Sequence, residues 1–359
     1  MKVNTSLLKG MIATVSKCKP NSLLEITSYY NVCAKDKQLI VKATDGVNFI
    51  ECSGEIKTDE QFEVIVKADQ FTKLVNKTSS KEIDLKVKND VLIFKGNGSY
   101  KLEIFTEEDY PSYVFEPYEV YRVKTKQLVN ALAVGKNIKS NTLSDGVLFN
   151  HLIRDNKVIA TDSLKVCCSN ISGLDAEILL TPSVVALMDS ITDEVCEVNI
   201  NEDHTDILIK GKGIVIYGAL AEGAEEYPDV MPIFDNEFDY NGELDKGETL
   251  EALDRLRLFI NNYDNDLLEI TFTNSALILS TINGSVEAVN FIKPIEDDFA
   301  EIDYTINNQY LQEILKSMKG QTYRIEFSEG EDIIKLESNE DMFILALADG
   351  DELWLNIIN

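Results

Sequence analysis

Histidine is nearly absent from this chain: only His151 and His204 occur. Neither has a second histidine or a cysteine at ligand spacing, so a histidine-based triad or metal cluster is poorly supplied. The six cysteines, Cys18, Cys33, Cys52, Cys167, Cys168 and Cys196, show no CxxC spacing. A large core has no need of disulfides, and the expectation is buried free thiols. There is no glycine-rich phosphate loop, because Gly96-Asn97-Gly98 reads as a hairpin turn, and nothing calls for a cofactor. No apolar run approaches the roughly 18 residues that span a bilayer. Met1-Lys2-Val3-Asn4 leads straight into a structured pattern without the apolar stretch and small-residue cleavage site of a secretory signal, which points to the cytoplasm and to no membrane partner. Basic residues are also scarce, 34 against 62 acidic, for a net charge of −28. That balance ordinarily argues against nucleic acid, whose binding is driven by lysine and arginine.

What the chain does have is repetition. Thr44-Asp45-Gly46 returns as Thr161-Asp162-Ser163, and Tyr110-Pro111 returns as Tyr227-Pro228, both displaced by 117 positions. Two unrelated motifs with one offset indicate a repeat too long for a solenoid unit, so each copy is a small domain. The 359 residues accommodate three such copies, at 1–118, 119–242 and 243–359.

The coarse structure repeats as well. Leu7, Leu8, Met11, Ile12 and Val15 line one face of a helix, and Leu128, Val129, Leu132 and Ala133 repeat that spacing. Leu253, Leu256, Phe259 and Ile260 give a looser third version. A second helix in each copy is read from Phe71, Leu74 and Val75, from Val184, Leu187, Met188 and Ile191, and from Leu311, Ile314, Leu315 and Met318. Thr181-Pro182 supplies an N-cap followed by proline at the first helical position. Alternating segments joined by short turns then run from Ile83 to Ile104, from Val195 to Leu220 and from Tyr323 to Leu347. Antiparallel sheet with two helices per copy on one face makes the class α+β, three times over.

Charge is unevenly spread. Thr5 to Pro20 contains Lys9, Lys17 and Lys19 and no acid, and Tyr121 to Ser140 contains Arg122, Lys124, Lys126, Lys136 and Lys139 and no acid. The second helix of the first copy adds Lys67, Lys73, Lys77 and Lys81 against Asp69. In the third copy Lys246, Arg255 and Arg257 are offset by Glu248, Glu251 and Asp254, leaving Lys316 and Lys319. Solvated helix faces would account for any one segment. Recurrence in equivalent helices suggests instead a positive stripe on an acidic body that repels DNA elsewhere.

In these features the chain resembles the bacterial DNA polymerase III beta subunit, the sliding clamp, including phage-encoded versions. The resemblance rests on Lys42-Ala43-Thr44-Asp45, Ile159-Ala160-Thr161-Asp162, Glu226-Tyr227-Pro228-Asp229 and the lysine-rich helices, in order across the whole chain. It implies the DNA-clamp fold and a non-enzymatic processivity factor: two three-domain subunits joined head to tail in a ring, helices lining the hole. The implied partners are double-stranded DNA held without sequence preference, a replicative polymerase, a clamp loader and a second copy of the chain. Phosphate contacts of this kind position a protein without reading bases.

Carried over position by position, the resemblance places Lys9, Lys17, Lys19, Lys73, Lys77, Lys124, Lys126, Lys136 and Lys139 at the channel. It sets Tyr100 and Leu102 against Leu258 and Phe259 of the other subunit, although Leu102 and Phe259 also read as core. The family's peptide pocket would include Thr161, Leu164, Lys165, Val166, Pro228, Ile233, Phe343 and Leu345. Here the chain departs from the family pattern. Ser163-Leu164-Lys165 stands where Gly-His-Arg is usual, and Leu345-Ala346-Leu347 stands where Met-Pro-Met-Arg-Leu is usual. An extension follows with Leu353, Trp354, Leu355, Ile357 and Ile358, placed so that it could pack over the pocket.

Two other readings stay open on the residues alone. One is a clamp-fold scaffold that does not encircle DNA, suggested by the weak third stripe. The other is a carboxylate-metal hydrolase using Glu225, Glu226 and Asp229, or Glu296, Asp297 and Asp298, although acid runs in so acidic a chain read most simply as solvated surface. Asp45 and Asp162 end strands, where aspartate more often caps a turn through neighbouring backbone N–H groups.

Overall fold

The computed structural model describes residues 1–57, 60–106, 109–260, 265–295 and 299–348. They form two compact units, Met1–Lys126 with Thr181–Leu220, and Gln127–Leu180 with Ala221–Asn359. Neither boundary follows the sequence repeat, and the second copy is divided between the units. Strand pairing that runs through the repeat boundaries is the reason, as described below. No helix among the described residues is long and apolar enough to cross a membrane.

The first unit holds helices α1 (Thr5–Val15) and α2 (Ala68–Lys77). Asn4 caps α1, its side-chain oxygen accepting from the N–H groups of Ser6 and Leu7 at 2.9 and 3.2 Å. This satisfies two of the four donors that a helix start leaves open. The face expected from the sequence turns inward: Leu8, Met11, Ile12 and Val15 are buried and Leu7 half-buried. In α2, Phe71 and Val75 are fully buried, each contributing about 1.5–3 kcal/mol by leaving water. A small antiparallel sheet runs Lys2–Asn4, Glu82–Lys88, Val91–Lys95, Ser99–Glu103. A larger antiparallel one runs Glu119–Lys124, Val195–Ile200, Asp206–Gly211, Ile214–Ala221, Phe49–Glu55, Gln38–Thr44, Tyr29–Lys35, Phe62–Lys67. Asp36-Lys37 and Asn89-Asp90 hold positive φ at both positions of their turns, the hairpin geometry matched to strand twist.

The second unit contains nearly all of α3 (Thr125–Gly135). Leu128, Ala131, Leu132 and Val134 are its buried hydrophobic residues, while Ala133, expected on the core face, is exposed. In the first unit α4 (Pro182–Met188) opens with the expected cap, Thr181 Oγ1 accepting from Val184 N–H, and ends before Ile191. The second unit continues with α5 (Met231–Phe234), α6 (Lys246–Leu256) and α7 (Asn308–Ser317). Asp245 and Asn307 cap α6 and α7 by accepting from Glu248 and Tyr310 N–H. One antiparallel sheet runs Tyr240–Asp245, Thr322–Phe327, Ile333–Ser338, Asp341–Ala346, Lys165–Asn170, Lys157–Thr161, His151–Arg154, Ile178–Leu180. A second runs Val286–Asn290, Ala276–Ser280, Leu267–Phe272, Ile302–Asn307. The fold is α+β, with helices packed on antiparallel sheets.

Candidate nucleic-acid interface and partner site

The sequence singled out nine lysines, and the structure treats them unequally. Lys19, Lys73, Lys77, Lys124, Lys126 and Lys136 are exposed, and Lys9 and Lys17 are half-buried. Lys73 pairs with Asp69 one helical turn away at 2.7 Å, with both side chains about two-thirds exposed. In water that pairing contributes little and leaves the ammonium available. Lys139 is the exception and corrects the expectation. It is 5% exposed, its ammonium donates to the Ser140 carbonyl at 2.8 Å, and it lies 4.4 Å from the Phe149 ring centroid. Burial lowers its pKa, and it offers nothing to a phosphate. In the third repeat three of the cations, Arg255, Lys246 and Lys316, are already engaged. Arg255 makes two hydrogen bonds to Glu287 at 2.8 and 3.0 Å, Lys246 donates to the Met318 carbonyl, and Lys316 to Gln312.

The recurring Thr-Asp motif is a turn device, as its position suggested. Thr44 Oγ1 donates to the Asn48 carbonyl and accepts from Gly46 N–H. Thr161 Oγ1 donates to the Lys165 carbonyl and accepts from Ser163 N–H. Asp45 Oδ1 accepts from Val47 and Asn48 N–H, and Asp162 Oδ1 from Leu164 and Lys165 N–H. The third repeat keeps the threonine alone, with Thr281 Oγ1 accepting from Ser285 N–H. The tyrosine of the second motif explains the shared offset. The Tyr110 hydroxyl donates to the carbonyls of Tyr29 and Lys42, beside Thr44. Burial raises the pKa of Tyr110 and of Tyr227, whose hydroxyl faces the backbone of Thr161.

Each Thr-Asp turn launches a strand that pairs across a repeat boundary. Phe49–Glu55 of the first repeat pairs with Ile214–Ala221 of the second, Cys52 opposite Ile214. Lys165–Asn170 of the second pairs with Asp341–Ala346 of the third, Lys165 opposite Leu345. At this second joint Lys165 is 3% exposed, bonded to Asp162, 3.1 Å from Glu313 and 4.9 Å from the Tyr310 centroid. Burial works against its charge, but Asp162 and Glu313 outweigh it and raise the pKa.

The expected peptide pocket is centred on this joint and is partly redrawn by it. Thr161, Val166, Phe343 and Leu345 are 0% exposed and Ile233 5%. Lys165 is locked in its ion pairs. Leu164, 41% exposed, and half-buried Pro228 are the members with surface. Strand alternation also separates the set. Val166, Ile233 and Ile344 share one apolar cluster with Tyr227, Val230 and Ala346, whereas Phe343 and Leu345 point into the other. Half-buried Val147, Leu148 and Met231 rim the Val166 cluster and went unnoticed in the sequence, for lack of a motif.

The model of the DNA polymerase III beta subunit, N-terminal domain, matches residues 4–114. The beta sliding clamp of Staphylococcus aureus is 22% identical over 335 residues, 88% of each chain. Among solved structures, the sliding clamp of Pseudomonas aeruginosa superposes with a TM-score of 0.84 at 14% identity, covering 98% of this chain and 99% of that one. The Bacillus subtilis clamp gives 0.83 at 17% over 98% and 99%, and the Helicobacter pylori clamp bound to a DNA ligase peptide gives 0.82 at 16% over 97% and 99%. Residues 4–114 therefore match the DNA polymerase III beta subunit family model, and the whole chain has the fold of the beta sliding clamps.

Within this fold two edges stand out. Ser99–Glu103 and Val286–Asn290 end their sheets and pair on one side only among the described residues. On the first edge Tyr100 is 44% exposed, but Leu102, offered as a contact residue, is 3% exposed and belongs to the core. Leu258 and Phe259, in the 3-10 turn after α6, are 80% and 52% exposed, so Phe259 is not a core residue. Among the described residues no cluster of three histidine, cysteine or carboxylate side chains could hold a metal ion. Glu296, Asp297 and Asp298 lie outside them, as does the extension from residue 349 onward. All six cysteines are unpaired, five buried and Cys33 half-buried. His204 sits in its turn at positive φ, 3.5 Å from Glu119, and His151 is buried at 1% exposure.

Proposed function

We propose that this chain is a DNA sliding clamp that closes as a head-to-tail homodimeric ring and tethers a replicative polymerase and clamp loader. It is a processivity factor and not an enzyme. The observation that carries the ring is the pattern of strand pairing. At two boundaries, the strand after a Thr turn pairs with the last strand of the next repeat's three-strand run. The third strand of each kind, Val286–Asn290 and Ser99–Glu103, is an open edge. A second copy supplies what each edge lacks, and an unpaired edge otherwise invites indiscriminate pairing. This reading keeps three clamp domains at 1–118, 119–242 and 243–359, with Tyr100, Leu258 and Phe259 near the subunit contact and Leu102 supporting it from the core.

The channel set becomes Lys9, Lys17, Lys19, Lys73, Lys77, Lys124, Lys126 and Lys136. The partner site becomes Leu164, Pro228, Met231, Val147 and Leu148 over the Val166 and Ile233 cluster, a shape suited to a short peptide with apolar anchors. We place the protein in the cytoplasm. A dimer of twice 40.3 kDa that stays on nicked circles after loading and runs off linearised DNA is the expected result. A monomer lost equally from both overturns the ring. It would favour a clamp-fold scaffold, the reading that the engaged cations of the third repeat support. Replacing Lys73 and Lys77 by alanine should lower the salt slope of DNA binding by about one per phosphate contact removed, without changing sequence preference.

A further inference from the structure

We propose that the open edge Val286–Asn290 receives Ser99–Glu103 of a second copy in one register, Glu287 opposite Tyr100 and Val286 opposite Lys101, and that the Arg255–Glu287 pair makes this joint the separable one. The inference rests on the ring reading above and adds to it which residues meet.

The two joints inside the chain supply the register. In each, the residue six positions after the turn threonine lies opposite a residue of the neighbouring repeat: Ile50 opposite Ile216 and Cys167 opposite Phe343, all four 0% exposed. In the third repeat the position six after Thr281 is Glu287. On the other strand, two observations align Tyr100 with Phe343. Within the hairpins, Tyr100 lies opposite buried Phe94 as Phe343 lies opposite buried Leu336. Five residues further on, Phe105 N–H donates to the Ile65 carbonyl and Ala348 N–H to the Thr305 carbonyl, the acceptors standing three residues before α2 and α7. Glu287 therefore takes the place of Cys167 and Tyr100 that of Phe343. A slip of one residue would set the inner face of one strand against the outer face of the other.

The exposed side chains agree with a missing strand. Tyr100 is 44% and Val286 60% exposed, whereas their counterparts at the second joint, Phe343 and Val166, are 0% exposed. Each edge leaves open what a neighbouring strand covers at the internal joints, so a second copy satisfies both edges at once. The chemistry is what differs. Arg255 on α6 holds Glu287 by two hydrogen bonds of 2.8 and 3.0 Å, where the internal joints have uncharged pairs. Both partners of this ion pair belong to one protomer, so parting the strands leaves neither charge alone. Closing them desolvates the pair, which offsets part of the gain from covering Tyr100 and Val286. The contact keeps its register and opens without stranding a charge.

Cysteine pairs read the register in the full chain. Residues directly opposite have Cβ atoms about 4.5–5.5 Å apart and diagonal ones sit about 7–8 Å apart, against the roughly 3.5–4.5 Å of a disulfide. Val286→Cys with Lys101→Cys, both at exposed positions, should give a disulfide-linked dimer at least fivefold faster than Val286→Cys with Ser99→Cys or with Glu103→Cys. Faster linkage through position 99 or 103 overturns the register and leaves the ring standing. A dimer in solution that none of the three pairs links overturns the strand contact. A monomer lost equally from circular and linear DNA overturns the ring reading, and the register with it. Arg255→Leu with Glu287→Ile gives this joint an uncharged pair like the other two, and should slow the exchange of protomers between labelled and unlabelled dimers at least tenfold. Exchange that is unchanged or faster overturns the role given to the ion pair.

Discussion

The two joints between repeats share a backbone and differ in what closes them. Both begin with a Thr-Asp turn making the same side-chain bonds to the same relative N–H groups, and both continue into a strand paired antiparallel across the boundary. Three residues after the aspartate, the first joint has Asn48, whose amide donates to Asp45 at 2.8 Å, and the second has Lys165. The first is then closed by aromatic rings, with Tyr113 stacked on Tyr217 at 4.5 Å and Phe49 within 5.8 Å of both. The second is closed by a buried ion network reaching Glu313 on α7. One position therefore decides whether a joint is held by neutral packing or by charge. Aromatic stacking adds about 0.5–1.5 kcal/mol beyond burial. A buried ion pair roughly offsets its own desolvation but is costly to break from one side.

The largest expected effect tests that asymmetry. Lys165→Met removes the buried cation shared by the half-buried Asp162 and Glu313 carboxylates, and should destabilise the second unit by about 3 kcal/mol in urea titration, the low end of the range for breaking a buried pair. Adding Glu313→Gln should restore a substantial part. The reciprocal change, Asn48→Met in the first joint, frees a carboxylate that still accepts two backbone N–H groups, and should cost about 1–2 kcal/mol. Equal costs at the two joints would refute the distinction.

Acid should separate the units next. His151 lies four residues before the Asp155-Asn156 turn, the place held by buried Val32 before Asp36-Lys37. Burial, with Lys139 adding repulsion and the Leu132 carbonyl opposing it weakly, pushes the His151 pKa down to about 4. A depressed folded pKa means that the unfolded chain binds the proton first. Stability is thus intact above the ordinary histidine value near 6.5, falls as the pH drops from there towards about 4, and loses about 3 kcal/mol in full. His151→Val should flatten this part of the pH profile of the second unit and leave the first unchanged. A slope that persists would assign it to carboxylates instead.

What the sequence made legible were the local parts of both joints. The Thr-Asp turn bonds groups two to four residues apart, so its chemistry is written in consecutive positions, as are the Asn4, Thr181 and Asn89-Asp90 signals. The helices α1, α2 and α7 were legible because apolar and polar residues alternate at the helical period. Failures came where that contrast vanishes. Phe343-Ile344-Leu345-Ala346-Leu347 is apolar at every position, so the sequence does not tell its two faces apart, and Phe343 and Leu345 pack away from the Val166 and Ile233 cluster with which they were expected. Lys139 was read with its acid-free neighbours, but Phe149, distant in sequence, takes it inside. The Lys165 and Glu313 pair joins residues of different repeats, and nothing in either neighbourhood announces the other.

The smallest effect is the sharpest comparison, because one substitution is made at two equivalent sites. Asp→Asn keeps one side-chain oxygen to accept from the turn's N–H groups and replaces the other, an acceptor at both sites, by an NH2 donor. At Asp45 the partners are neutral, the N–H groups of Val47 and Asn48 and the Asn48 amide, so the change removes one neutral hydrogen bond, that from the Asn48 amide, and should cost about 0.5–1.5 kcal/mol. At Asp162 the same change leaves Lys165 with Glu313 as its remaining ion-pair partner in a site 3% exposed. A hydrogen bond to a charged group contributes about 1.5–3 kcal/mol, and the amide NH2 that would face the Lys165 ammonium cannot accept in its place, so a loss of about 1.5–3 kcal/mol is expected. The Asp162→Asn loss should disappear in the Lys165→Met background, because the charge it served is gone, while Asp45→Asn should be additive with everything in the second unit. Chemical denaturation of the four variants measures both terms, and an unchanged Asp162→Asn loss without Lys165 would show that the turn, not the ion network, is what the carboxylate serves.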